Sequence, residues 1–442
     1  MTDKHVIVIG GGASGMMAAG RAAESGAAVL LLEKMKRPGM KLRISGQTRC
    51  NLTNIRELND FVSMYGPNGR FLRNVFHRYF RDDLLAFLRH YGVETKTEPD
   101  GRVFPSSDDA RDVVKALQRY LADHGVQVHT GIRATAIRVE GKRVTGVQTG
   151  QGIYPAAAVI LATGGASYPG TGSTGDGYRM AEAVGHTITR LRPALVPLVV
   201  QEVQLAKNMQ GVGLGNIRLT AYQCQADEID PSLTPSGDVG RGTGHEKAPR
   251  PVIESRGGKL IFTHFGISGP IALQMSLAIV DALEKGPVSV SLDLQPDLSE
   301  KQLHQLLQQD FELHGRRGVK RIISDLLPPK MVEPFVAMAG IPPDKPVNQI
   351  GAAERKRLVS LLKSLRFNIA GSLPLAAAMV TAGGVSLKEI DPRTMASRLV
   401  AGLYFCGEVL DLDADTGGYN LQAAFSTGCV AGEEAAKFVA IA

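Results

Sequence analysis

His5-Val-Ile-Val-Ile-Gly10-Gly-Gly-Ala-Ser-Gly15 begins the first legible unit of the chain, and Ala28-Val-Leu-Leu-Leu-Glu33 closes it. The opening run is short, apolar and rich in β-branched residues, as a parallel strand buried on both faces requires. Three glycines follow at the spacing Gly10-x-Gly12-x-x-Gly15, and Met16 to Glu24 then reads as a helix that Gly26 ends at its C′ position. The first glycine permits a tight turn, the second lets a pyrophosphate approach the backbone, and the third lets helix and strand pack closely. Ser14 sits inside that turn, and free amides at the helix start face phosphates. Glu33 lies eighteen residues past Gly15, where a carboxylate accepts from ribose hydroxyls. A glycine turn alone occurs in any α/β protein. Strand, turn, helix and terminal acid together specify a dinucleotide-binding βαβ unit.

The chain has 442 residues, 44% of them hydrophobic and 21% charged. That fits an ordinary globular protein of about three domains and excludes disordered, fibrous and coiled-coil architectures. Its 50 glycines are in excess, about 11% against a usual ~7%. The net charge of +7 permits nucleic acid, an anionic membrane surface or a polyanionic ligand as partner. Cys50, Cys224, Cys406 and Cys429 form no CxxC pair, so a reducing, cytoplasmic setting is expected. The apolar stretch from Val6 to Ala19 is interrupted by its glycines and does not resemble a signal peptide. No uninterrupted apolar run reaches the ~18 residues of a membrane span. No His, Cys, Asp or Glu spacing points to a metal.

Beyond Glu33, six basic residues (Lys34, Lys36, Arg37, Lys41, Arg43, Arg49) occur without an acid. Phe71 to Tyr91 is amphipathic and predicts a helix stopped by Gly92, and Asp108 to Asp123 a second one capped by Ser106 or Ser107. Val126 to Leu161 reads as short strands with turns at Glu140-Gly-Lys142 and Gly150-Gln-Gly152. After Pro193 the pattern changes. Residues 194–294 are β-rich, with a hairpin expected at Gly257-Gly258, and residues 231–250 form a polar, exposed loop. Residues 399–406 read as a last strand and Leu421 to Val439 as a last helix. The expected fold is α/β. A Rossmann-like unit of residues 1–193 and 379–442 is interrupted by an insert, 194–378, which is β-rich over 194–297 and 366–378 and helical over 298–365.

A second match, Gly170-x-Gly172-x-x-Gly175, lacks the preceding strand and the following acid, so one dinucleotide is expected. Ala162-Thr-Gly-Gly165 after a late strand, and Gly402-Leu-Tyr-Phe-Cys-Gly407-Glu408 before the final helix, match the layout of FAD proteins of the glutathione-reductase type. Gly418-Tyr-Asn420-Leu421 opens that helix, and its amides can face a flavin carbonyl.

Lys41-Leu-Arg-Ile-Ser-Gly46, Arg49-Cys-Asn-Leu-Thr-Asn54, Thr263-His-Phe-Gly-Ile-Ser-Gly-Pro270, Thr381-Ala-Gly-Gly-Val385 and Gly407-Glu-Val-Leu-Asp411 with Thr416-Gly-Gly-Tyr-Asn420 carry a resemblance. In this order they resemble the BaiN/RdsA family of bacterial flavoproteins, from Val6 to about Gly432. The family has a glycine run before Arg-Cys-Asn, whereas this chain has Gly46-Gln-Thr48. The resemblance implies non-covalent FAD in a two-part Rossmann-like domain, with an insert made of a β-barrel-like part and a helical part, and NADH or NADPH as external reductant. It also implies several activities: reduction of steroid enones, reduction of a uridine in ribosomal RNA, or oxidation of a small aminoketone. A non-catalytic, flavin-containing RNA-binding protein is a further alternative. The expected cofactor residues are Gly10, Gly12, Ser14, Gly15, Glu33, Lys34, Lys41, Arg49, Asn51, Ala134, Thr163, Gly164, Gly165, Gly407, Glu408, Asn420 and Leu421.

Two residues are candidates for proton transfer. Cys50 stands between Arg49 and Asn51 in a basic stretch that would lower a thiol pKa, although a small buried filler is the plainer reading. His264 lies in a turn-like segment, where an imidazole either donates to a substrate carbonyl or bonds the backbone. Basic clusters at 315–330 and 354–366 add charge suited to an RNA backbone, though such runs are commonly solvated helix faces.

Overall fold

Five parallel strands form the sheet of the first unit. β1 (His5–Ile9) and β2 (Ala28–Glu33) pair in register, Val8 opposite Leu31. The spatial order is Leu403–Phe405, Ala158–Leu161, β1, β2 and Gln127–Thr130. Val6, Val8, Leu31, Val159 and Leu161 are fully buried, which is why these strands read as unbroken apolar runs. The computed structural model describes residues 5–241 and 251–441. Its contacts divide the chain into a unit that runs to Pro193 and resumes at Leu375, and a second unit, Ala194–Pro374.

α1 (Ala13–Glu24) connects β1 to β2 and packs on the last helix, Tyr419–Ile441. The two backbones touch. A Cβ on Gly428 would overlap the Ser14 carbonyl oxygen, and one on Gly432 the Ala18 carbonyl oxygen. Four residues apart, these glycines share one helix face. Arg21 and Arg78 both pair with Glu433 at the edge of this contact.

The structure corrects several local expectations. The segment 71–91 is not one helix. It breaks at Tyr79 (φ −152°, ψ 108°), and Asp83 Oδ2 accepts the Phe80 N–H at 2.8 Å to start Arg81–His90. The break lets Phe76 and Phe80 both pack on Phe61, with ring centroids 5.4 and 5.0 Å away. The helix Ala110–Asp123 is capped by Asp109, whose side chain accepts from Arg111 N at 2.8 Å, and not by Ser106 or Ser107.

The second unit contains a closed six-stranded barrel in the order Leu198–Val200, Gly266–Ser268, Val252–Phe262, Gly213–Tyr222, Ser289–Asp293 and Leu365–Ser372. Gly257 and Gly258 lie inside a strand rather than at a hairpin. Gly258 (φ +150°) instead makes room for a helix the sequence did not reveal, Pro270–Leu283, because a Cβ there would stand 2.7 Å from Ile271 Cγ2. The hairpin turn falls at 263–265, closed by Thr263 N–H to the Gly266 carbonyl at 2.8 Å. Helices Glu300–Leu313, Val319–Ile323, Pro329–Met338 and Ala352–Lys363 complete this unit. Of the polar stretch 231–250, Asp230 caps the turn at Pro231–Leu233, and residues 242–250 lie outside the described residues. No helix among the described residues is long and apolar enough to cross a membrane.

The glycine contact between the helices gives a direct test. Gly432→Ala is expected to destabilise the protein by about 1–3 kcal/mol, the usual cost of overpacking a closed contact. Gly150→Ala, where a Cβ meets nothing within 4 Å, should stay within about 0.5 kcal/mol of the parent in urea denaturation.

Candidate active site

The glycine loop turns at Gly10 (φ +106°), whose N–H bonds the Leu32 carbonyl at 2.8 Å. A Cβ there would stand 2.5 Å from the Ala162 carbonyl oxygen, and one on Gly15 would overlap the Gly10 carbonyl. Gly12 differs: nothing lies within 4 Å of where its Cβ would be. Packing therefore demands two of the glycines, and the third leaves open space at the start of α1, where amides attract an anion. Glu33 is 8% exposed. Its Oε2 accepts the Gly11 N–H and its Oε1 the Met35 N–H, each at 2.7 Å. Each oxygen keeps a lone pair for a hydroxyl. Ala134 opens a strand two residues beyond Ile132, whose N–H bonds the Glu33 carbonyl at 3.0 Å.

A second group gathers at the carboxyl ends of Ala158–Leu161 and Leu403–Phe405. Thr163 Oγ1 is buried without a hydrogen-bond partner, and Gly164 takes φ +69°. Gly165 packs so closely on Thr381 and Glu408 that a side chain would collide with both. The Glu408 carboxylate accepts from Thr381 N–H (2.9 Å), Lys41 Nζ (2.8 Å) and Ser167 Oγ (3.2 Å). Gly407 (φ +75°) lies directly against Ser14. Lys41 and Glu408, expected separately as cofactor residues, thus form one ion pair. Ser167 and Thr381 complete it. Neither had been singled out, although Thr381 heads the Thr-Ala-Gly-Gly segment.

The other basic candidates are also paired. Lys34 Nζ bonds Asp176 (2.7 Å) and Thr174 (2.6 Å), and Asp176 also takes Arg133 (2.8 Å) and Arg179. Burial opposes ionisation of Asp176, but hydrogen bonds from Lys34 and Arg133 outweigh it and hold this carboxyl below the usual range. Arg49 bonds Glu98 (2.6 Å) and Asp108 (2.8 Å) and lies 4.1 Å over the Phe104 ring. The acid-free run 34–49 is therefore no free basic surface at these positions, since acids distant in sequence neutralise it.

Cys50 requires a correction. It is fully buried at φ +65°, and burial pushes its thiol up to about 12, against a smaller opposing effect of Ser45. The neighbouring arginine does not lower it, because Arg49 is turned toward Glu98 and Asp108. Gln47 and Thr48 also take positive φ, 57° and 69°, where the resembled family carries glycines. Asn51, with its amide turned to satisfy both neighbours, donates to the Thr53 carbonyl (3.2 Å) and accepts from Gly418 N–H (3.0 Å). The Asn420 side chain closes its own loop onto Ala414 at 2.8 and 2.9 Å, and Leu421 lies half-buried in the first turn of the last helix. His264 is exposed on the hairpin turn of the second unit.

A family model described as the HI0933-like protein Rossmann domain matches residues 4–434. The chain belongs to the HI0933-like family. It is 32% identical over 433 residues to a 3-dehydro-bile acid delta(4,6)-reductase of Clostridium scindens, covering 97% of this chain and 98% of that one. It is 30% identical over 427 residues to a ribosomal RNA dihydrouridine synthase of Escherichia coli, covering 95% of each. Among solved structures, a flavocytochrome c3 fumarate reductase matches with TM-score 0.50 at 17% identity, covering 98% of this chain and 78% of that one. A quinol-fumarate reductase matches with TM-score 0.51 at 18% identity, covering 99% and 71%. These last two likenesses concern the fold.

This HI0933-like chain is an FAD-dependent oxidoreductase. Its residues fit the cofactor: the open space at Gly12 suits a pyrophosphate, and the two Glu33 oxygens, each accepting one backbone N–H, keep lone pairs for ribose hydroxyls. Gly12→Val is expected to leave the apoprotein folded, because the side chain enters open space, yet to abolish the flavin absorbance of the purified protein. The thiols offer a second check. At pH 8 iodoacetamide should label half-exposed Cys224 before buried Cys50, Cys406 and Cys429. Rapid labelling of Cys50 in the native protein, followed by peptide mass spectrometry, would show an accessible thiolate and contradict its burial.

Proposed function

We propose that this flavoenzyme reduces a C=C bond conjugated to a carbonyl, with a uridine of ribosomal RNA as the leading substrate. A bile acid delta(4,6)-reductase and a dihydrouridine synthase, both related over nearly the whole chain, share this one chemical problem. The alkene takes a hydride at its β carbon and a proton at its α carbon. FAD, when bound, supplies the hydride, and NADH or NADPH is the proposed reductant. The chain's residues hold the cofactor's phosphates at Gly12, polarise the substrate carbonyl and deliver the proton. Cys50 is poorly suited to that delivery, because its thiol is sealed and held protonated. His264 is the proposed donor, an imidazole exposed on its hairpin turn.

The choice of RNA over a small enone is carried by the charge left unpaired. Arg316, Arg317, Arg321 and Lys356 are exposed and pair with no carboxylate among the described residues. This contrasts with Lys34, Lys41 and Arg49. Unpaired cations on a surface suit phosphates.

Reduced enzyme mixed anaerobically with a uridine-containing ribosomal RNA fragment or a steroid enone should reoxidise its flavin and return a product heavier by two hydrogens. Reoxidation only by air, with peroxide formed at saturating aminoketone, would identify an oxidase instead. Deleting the gene and mapping dihydrouridine in the host's ribosomal RNA decides between the substrates. An unchanged map in a host that carries the modification excludes the RNA.

A further inference from the structure

Tyr168 is held in a backbone conformation that its side chain disfavours and that burial does not offset. Its φ of 52° and ψ of 60° are left-handed, where a bulky residue is an outlier. Pro169 follows, and a residue before proline is normally extended. The residue is 38% exposed, and among the described residues its side chain makes no hydrogen bond or ring contact.

The backbone around it is pinned on both sides. Ala166 N–H donates to Thr381 Oγ1 (2.9 Å) and Tyr168 N–H to the Ala376 carbonyl (3.2 Å). The Tyr168 carbonyl accepts from the Thr171 N–H (2.9 Å) and hydroxyl (2.7 Å). These bonds place Tyr168 next to Ser167 of the Lys41–Glu408 group, beyond the carboxyl end of a central strand, where open α/β sheets bind their ligands. Met379 is exposed there as well. Strain in a non-glycine residue persists where surrounding structure over-determines it, and such residues cluster at ligand sites.

We propose that Tyr168 is an aromatic wall of the substrate site, its ring stacking on the planar C=C–C=O group of a uracil or an enone. This assignment rests on the reductase reading above. A π face stacks on any flat conjugated acceptor, so the wall selects for planarity rather than for one substrate.

The chain has no tryptophan, so Tyr168→Trp introduces its sole indole. In the oxidised holoenzyme without reductant, uridine 5′-monophosphate or a Δ4-3-ketosteroid should quench that emission saturably. Quenching that follows FAD loading alone, with neither ligand adding to it, would place the ring on the cofactor and overturn the proposal. Tyr168→Gly separates strain from function. It should melt higher than the parent, with KM raised about tenfold or more and kcat within about threefold. A lower melting temperature with unchanged KM would make Tyr168 a purely structural residue and equally overturn it. Ligand quenching without turnover of either substrate by the parent enzyme would sink the reductase reading and leave the wall standing. Turnover without quenching would sink the wall alone.

Discussion

The Glu33 carboxylate accepts two backbone N–H groups, from Gly11 in the glycine loop and from Met35 just past its own strand, both at 2.7 Å. Those two N–H groups take the place of the water that a side chain this buried gives up. The same bonds tie the loop after β1 to the tip of β2. With the loop fixed there, Gly10 turns against Ala162, Gly15 closes on Gly10, and the open side of Gly12 faces outward. The cofactor site is thus defined first by what the protein bonds to itself. Its binding surface is the part of the loop that packing leaves uncovered.

Charge follows the same logic. Lys34, Lys41 and Arg49 come from a stretch without a single acid, yet each meets carboxylates in the folded unit: Asp176, Glu408, and Glu98 with Asp108. Half-buried cations need such partners, since desolvation without compensation is costly. Exposed Arg316, Arg317 and Arg321 of the helical segment have no such need and pair with no carboxylate among the described residues. A basic run in sequence is therefore a poor guide to a basic surface in space.

The excess of glycine resolves into distinct uses. Gly428 and Gly432 let two helix backbones touch, Gly258 admits a helix over a barrel strand, and Gly10 and Gly407 take positive φ at strand ends. Elsewhere the chain adopts positive φ without glycine, at Gln47, Thr48, Cys50, Asp108, Lys142, Tyr168, Leu195 and Met395. Of these, Tyr168 adjoins the Lys41–Glu408 group, because Lys41 bonds Ser167 beside it.

Local pattern by itself determined the first strand–loop–helix–strand unit, the FAD-type layout of strand ends, and the last helix. Each depends on side chains a few residues apart: unbroken apolar runs, turn glycines, a terminal acid. The helix within the β-rich segment and the break at Tyr79 escaped that reading, since Gly258 against Ile271 and Phe80 against Phe61 are contacts of tertiary packing. The chemistry of the site was decided at still longer range. Lys41 finds Glu408 across 367 residues of chain, and Cys50 is sealed so that its thiol rises instead of falling. Ion pairing and proton affinity are set by burial and by whichever charge arrives nearby. Only the completed tertiary structure specifies either.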